Sequence, residues 1–366
     1  MIYLSDYRYA ATTATELLDD IRHPQMVHWF PETYNKVGTG LFYPPHKLAE
    51  KVLDPELAKT LRENPVGKTA FILAAGNAHF AGINPMNRGK SRLTYEYKFL
   101  PMTLTQVFAG KVAQSFGAVD HIVTDSSACA SSLKVLMDVQ TLMKFYGFNR
   151  VIVLAFEDAV SNLVLDFFGE SQASLAQKEV EMGVKPSAFD DTNYGFHVGQ
   201  GAVLAVFDDV PTFKSKGRLL GAYTAAEACA NAIGQTEDGE GFVKAAKGAL
   251  EAAKLTPACV SVVKTHGTGT KSNNRAEKTA LDGLLPNFVA TSYKPVIGHT
   301  MGASGLLETC MLIDNMRSGF VPAIPNRTQE DDVYLSHDVE APKGAILSLA
   351  AGMGNVYSAA VMTTEL

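Results

Sequence analysis

The chain has 366 residues, 46% of them hydrophobic and 19% charged, which supplies a large core and excludes a disordered polymer. A net charge of −6 argues against a general nucleic-acid binder, whose footprint is basic. The four cysteines (Cys129, Cys229, Cys259, Cys310) lie far apart with no CxxC pair, which fits a reduced, cytoplasmic setting and argues against a zinc site.

The opening MIYLSDYRYA has no basic segment followed by an apolar run, so no signal peptide is expected. No apolar stretch approaches the ~20 residues that a membrane-spanning helix needs. Prolines at 24, 31, 44, 45, 55 and 65 predict that the first 65 residues form an extended, looping segment with only short helices. Beyond it, short β-branched apolar runs predict strands at 70–75, 121–124, 151–156, 202–207, 219–223, 261–265, 346–350 and 357–362. Their continuous apolarity suits strands buried on both faces. Helical spacing runs through Leu133, Leu136, Met137, Gln140, Leu142 and Met143, through Leu250 and Ala253, and through 306–316. Strands alternating with helices imply a layered α/β architecture. A strand, a small-residue turn and a helix occur at 122–145 and again at 260–285, the pattern of two similar halves joined without a linker.

Four segments carry candidate chemistry. In Asp125-Ser126-Ser127-Ala128-Cys129-Ala130-Ser131-Ser132, Cys129 falls at or just before a helix N-terminus. The free amides and the dipole there lower a thiol pKa and can donate to an oxyanion. The competing reading is a small buried cysteine that packs like alanine. His266-Gly267-Thr268-Gly269-Thr270 follows a strand end, where α/β folds hold their ligands; a structural turn fits the same residues. Lys294 and His299 flank a turn in KPVIGH, ahead of a small-residue helix start, and a surface lysine with a capping histidine is the alternative. Glycines 298, 302 and 305 have the wrong spacing for a dinucleotide loop. Gly352-Met353-Gly354 closes a strand with amides able to approach a ligand, or is a plain hairpin.

Taken together, these segments resemble the β-ketoacyl-acyl carrier protein synthases, the condensing enzymes of the thiolase superfamily. Ser-Ala-Cys-Ala-Ser-Ser around Cys129 is similar to the nucleophile motif of that family. Residues 266–270 match its HGTGT, Glu277 stands eleven residues after the histidine, and Lys294, Gly298 and His299 match its KxxxGH. Gly352-Met353-Gly354 is similar to its terminal GFG, and Phe189-Asp190-Asp191 leads to Gly195-Phe196 and Gly199-Gln200-Gly201 as in FDxxxxGFxxGEG. The likeness runs in order from about 70 to 362.

The resemblance implies a five-layered αβαβα fold of two related halves, 1–210 and 211–366, with the site where they meet. It implies that Cys129 takes an acyl chain from a carrier-protein thioester. Malonyl-carrier protein then loses CO2, and the carbanion attacks the acyl-cysteine. His266 and His299 would stabilise the enolate, and the amides of Cys129 and Met353 the oxyanion. Thr268 and Thr270 would hold the pantetheine arm, and Lys294 and Glu277 would position the histidines. The partners implied are acyl carrier protein and an identical or related second subunit, with no metal or cofactor, no nucleic acid and no membrane.

The chain also departs from the family pattern. The N-terminus lacks the ITGxG turn, which leaves the first strand in doubt. Asn273-Asn274-Arg275 replaces Gly-Asp-Pro, Gln200 replaces Glu, and Met353 replaces the gating Phe. Three alternatives stay open: a chain-length-factor-like partner that does not condense, a thiolase, and an acyltransferase stopping at the acyl-enzyme. A thiolase would want a second cysteine in the 350–354 turn, which has none. Residues 87–92 (NRGKSR) are a candidate basic docking patch or a solvated loop, and Phe167 and Phe168 are candidates for the acyl pocket or for ordinary core. The remaining histidines (His23, His28, His46, His79, His121, His197, His337) read as structural or exposed.

Overall fold

Alternating side chains on twin-faced strands organise this molecule. In the computed structural model the structure describes residues 1–11, 52–76, 104–157, 167–169, 174–175, 177–212, 214–227 and 235–366. In chain order the first elements are β1 (Ile2–Ala11), α1 (Pro55–Glu63), β2 (Thr69–Ala74), α2 (Thr105–Ala113) and β3 (His121–Asp125). Then come α3 (Ser131–Phe145), β4 (Arg150–Glu157), α4 (Gln177–Glu181), β5 (Gly201–Asp208) and β6 (Gly217–Ala226). The next are α5 (Glu240–Ala253), β7 (Val260–Lys264), α6 (Lys271–Leu284), β8 (Val289–Thr291) and α7 (Lys294–Ile297). The last are α8 (Ser304–Arg317), β9 (Phe320–Val321), β10 (Val339–Glu340), β11 (Ala345–Gly352) and β12 (Val356–Thr363). All eight predicted strands are among them.

The main sheet has the order β3-β2-β4-β5-β1-β6-β12-β11-β7-β8. Read from each edge inwards, both five-strand runs place their third strand first, then the second, fourth, fifth and first. The chain therefore repeats one topology and joins the copies where Ile2–Leu4 pair with Gly217–Leu219. Period-2 side chains then sort the core. Ile72, Val153 and Ala155 face a central layer filled by Leu133, Leu136 and Val139 of α3 and by Leu306, Cys310 and Ile313 of α8. The intervening Phe71, Ile152 and Leu154 face an outer layer with Leu57 of α1 and Phe108 of α2. On the other run, Leu347, Leu349 and Val361 face a second outer layer with Phe242 of α5 and Ala276 of α6. Helix, sheet, helix, sheet, helix: five layers.

The N-terminus corrects one expectation. Within the first 65 residues, 2–11 form a full strand, paired with β5 from Tyr3 to Ala11 and set between β5 and β6. The aliphatic run that marks the other strands is absent because β1 carries tyrosines and a bulge between Leu4 and Asp6. The Arg8 guanidinium of β1 donates to Asp6 at 2.7 Å and to Asp54 at 2.9 Å. Asp54 also caps α1 by accepting from the Glu56 amide at 2.9 Å. Residues 12–51, and with them His23, His28 and His46, lie outside the described residues. Among the described residues no helix is long and apolar enough to cross a membrane.

Leu4 is fully buried at the junction of the two runs. Leu4→Ala is expected to cost about 3 kcal/mol of unfolding free energy in urea titrations. The exposed Val210→Ala control should change it by less than about 0.5 kcal/mol.

Candidate active site

Cys129 sits in a short 3-10 turn, Ala128–Ala130, between β3 and α3. Ala128 has φ 47°, a strained value for a residue with a Cβ, and Ser131 braces it. The Ser131 hydroxyl accepts from the Ser127 amide at 2.8 Å and donates to the Ala128 carbonyl at 2.7 Å. The same turn recurs ahead of α8 at Met301–Ala303, where Met301 has φ 43°. The two turns meet: the Cys129 Sγ lies 3.9 Å from the Met301 Sδ. Phe168, Phe196 and Val198 complete an apolar nest, with Met353 packed against it.

His266 follows the end of β7 and is held through its backbone. Glu277, reaching back from α6, accepts from the His266 amide at 2.5 Å, the Gly267 amide at 2.9 Å and the Asn273 side chain at 2.9 Å. Asn273, part of the Asn-Asn-Arg departure, thus supplies a donor to the same carboxylate. Thr270 caps α6, and its hydroxyl lies 3.1 Å from that of Thr268. Gly269 has φ 74° and its carbonyl accepts from the Gly195 amide at 2.9 Å. A Cβ there would fall 1.9 Å from the Ser187 carbonyl, so only glycine fits.

Lys294 opens α7, and Gly298 turns the chain so that His299 comes back toward the same space. The Lys294 ammonium donates to the His266 carbonyl at 2.5 Å and to Glu308 at 2.8 Å. The His299 amide donates to the His197 carbonyl at 2.7 Å, and the Gly199 amide to the His299 carbonyl at 2.9 Å. Residues 195–199 therefore strap both histidine turns. A Cβ on Gly199 would lie 2.5 Å from the Ile297 carbonyl, which explains the glycine at that crossing. The two imidazoles stand with centroids 5.6 Å apart at 80°.

The structure brings Cys129, His266, His299, Thr268, Thr270 and Met353 to the wall of one cavity of about 100 Å³. Phe167 and Phe168 line it as well. Lys294 and Glu277 lie behind it, buried and hydrogen-bonded to the backbone at His266. Gly352 and Met353 enter from the hairpin between β11 and β12, so that turn is both a hairpin and part of the wall. Residues 87–92, Cys229 and His79 lie outside the described residues. Among the described residues no group of three or more His, Cys, Asp or Glu side chains is arranged to hold a metal ion.

The electrostatics correct the expectation for the thiol. Burial, and then the Glu157 carboxylate, push the Cys129 thiol up to about 12, outweighing Lys294 and a backbone amide. A turn start buried in apolar side chains costs the thiolate more than its dipole returns. The histidines go the other way. Burial first, then Lys294, holds both His266 and His299 well below the usual imidazole range, so each is a neutral ring at pH 7. Two charged residues escaped the sequence reading, Lys264 and Glu308, which pair at 3.2 Å with no solvent exposure. Their only signals are a lysine ending an apolar strand run and a glutamate inside an apolar helix.

Family models match twice: the β-ketoacyl synthase N-terminal domain over 52–209 and the C-terminal domain over 217–328. The chain is 26% identical over 281 residues to the tetracenomycin polyketide synthase ketoacyl synthase alpha subunit of Streptomyces glaucescens, a match covering 72% of this chain and 64% of that one. It spans 55–65% of the length of the curated relatives it matches. One similar solved structure is a chain from a type II PKS acyl-carrier protein in complex with its ketosynthase bound to the hexaketide. It has a TM-score of 0.78 at 19% identity, covering 99% of this chain and 98% of that one. Another is a chain from a ketosynthase in complex with its chain length factor from Xenorhabdus doucetiae. Its TM-score is 0.73 at 19% identity, covering 99% of this chain and 97% of that one.

The raised thiol sets an order of reactivity. Iodoacetamide at pH 8 should label exposed Cys259 before Cys129, because hydrogen bonding from Thr256 lowers the Cys259 thiol. The Cys129 rate should climb about tenfold per pH unit to pH 10, read by peptide mass mapping. A Cys129 rate that levels off below pH 9 would show a stabilised thiolate instead.

Proposed function

The chain belongs to the β-ketoacyl synthase family, and on that footing we propose that it is a β-ketoacyl-acyl carrier protein synthase. The reaction is a decarboxylative Claisen condensation, in fatty acid or polyketide assembly. The observation that carries this is one pocket holding a thiol and two buried imidazoles kept neutral.

Cys129 attacks the thioester carbonyl of an acyl-carrier protein, and the departing pantetheine thiol takes up the proton that Cys129 gives up. Because the resting thiol is protonated, its deprotonation is coupled to attack, with the Lys294 charge favouring the thiolate. Malonyl-carrier protein then loses CO2. Neutral His266 and His299 donate N–H bonds to the enolate oxygen, where charge appears only as the reaction proceeds. The carbanion attacks the acyl-Cys129 carbonyl, whose oxyanion is held by the amides of Cys129 and Met353, and the thiolate leaves. Thr268 and Thr270 hydrogen-bond the pantetheine arm, while Lys294 and Glu277 fix the His266 turn. The protein parts are 1–210 and 211–366, a division supported by the repeated strand order. A second subunit, identical or related, pairs with this one; the half-exposed edge strand β3 supports that. A cytoplasmic setting goes with the free cysteines Cys129, Cys259 and Cys310.

Intact-mass analysis with a panel of acyl-carrier proteins should find an acyl adduct on wild type and none on Cys129→Ala. No adduct with any donor would favour a non-condensing partner subunit. Met353 bears on access: methionine bends where phenylalanine must swing. Met353→Phe should slow loading of long acyl chains relative to short ones, and equal ratios in the two proteins would remove Met353 as the gate.

A further inference from the structure

Lys264 takes no part in the chemistry proposed for the pocket, yet it is buried completely two residues before His266. Its ammonium donates to Glu308 at 3.2 Å and to the Leu349 carbonyl of β11 at 2.7 Å. The other Glu308 oxygen serves Lys294 at 2.8 Å and accepts from Ser304. Two ammonium groups therefore share one carboxylate. A second buried carboxylate, Glu277, has the opposite problem. Burial pushes its carboxyl up, but it accepts from three N–H donors, which, with the Lys264 charge, favour the ionised form, and it has no ion pair within 4.0 Å among the described residues.

Glu277, Glu308 and Lys294 therefore sum to zero charge only if Lys264 is counted with them. Facing Lys264 are Glu308 from α8, Lys294 from α7 and Glu277 from α6; burial first, with Lys294, brings its ammonium down to about 8, while the two glutamates favour the charged form, so it is charged below pH 7. Facing His266 are Lys294, Lys264 and His299; facing His299 are Lys294 and Lys264. Without Lys264, two buried carboxylates would confront one ammonium, leaving a net negative charge where an imidazole is easily protonated and an enolate must form. We propose that Lys264 is a positioning residue whose ammonium balances the buried Glu277 carboxylate and so keeps His266 and His299 as neutral N–H donors. The proposal rests on the reading of those histidines as enolate donors, and its test reads ring protonation without substrate.

The test is NMR titration of full-length protein labelled at histidine Cε1, with the two signals assigned by their loss in His266→Gln and His299→Gln. In wild type both rings should stay neutral down to pH 5. Lys264→Met should raise both protonation constants about tenfold or more, and Lys264→Met with Glu277→Gln should return them to within about twofold of wild type. A side chain that merely fills space would give neither the shift nor its reversal. Titrations that superimpose in wild type and Lys264→Met, or a double variant that fails to revert, would overturn the proposal. Should only the double variant fold, the uncompensated Glu277 charge is the reason, and the proposal stands; should neither fold, the hydrogen bonds of Lys264 matter rather than its charge, and it falls. Malonyl decarboxylation by the same proteins is a separate arm, where its acid limb should move to higher pH in Lys264→Met. If wild type does not decarboxylate at all, the assigned reaction fails while the titration still decides the role of Lys264.

Discussion

The Glu308 carboxylate is the point on which the site depends. It is fully buried in α8 and takes Lys294 on one oxygen and Lys264 on the other. Through Lys294 it fixes α7, whose following turn carries His299, and the carbonyl of His266. Through Lys264 it fixes the end of β7 and the strand that leads to Met353. Breaking such a buried pair by removing one partner typically costs about 3–5 kcal/mol. β7, β11, α7 and α8 are thereby held to one geometry, and the imidazoles that follow β7 and α7 need no freedom of their own.

Close backbone crossings do the rest. The strap at 195–199 lies against both histidine turns, hydrogen-bonded to the carbonyls of Gly269 and His299. That approach leaves no room for a side chain at Gly199 or Gly269. The result is a fixed pair of buried imidazoles beside an apolar nest. A low-dielectric setting of this kind strengthens each N–H bond to a developing oxyanion. The same burial raises the Cys129 thiol. A resting state without a thiolate is the cost of histidines that stay neutral.

Much of this was legible in the residues. Continuous apolar runs located eight strands because a strand covered on both faces has no solvent side to advertise with polar residues. The glycines and histidines at strand ends located both site turns. Other features left weaker traces. β1 was obscured because its tyrosines and its Ser5-Asp6 bulge lack the aliphatic signature, although it lies between the two runs of the sheet. β8 is three residues long, too short for periodicity to register. Lys264 and Glu308 each read as an isolated charge in an apolar segment, since nothing in a linear pattern says that they face each other across 44 positions.

The sequence by itself determined the layered α/β class, the strands and the identity of the candidate nucleophile and donors, because local patterning and backbone permissiveness are written residue by residue. Only the tertiary structure decided the state of those groups. The Cys129 thiol sits at a helix start, which favours a thiolate, but the field there is set by burial, Glu157 and Lys294, which reach it from other elements. Proton affinity depends on solvent exclusion and on charges near in space, and neither is a property of neighbours in the chain.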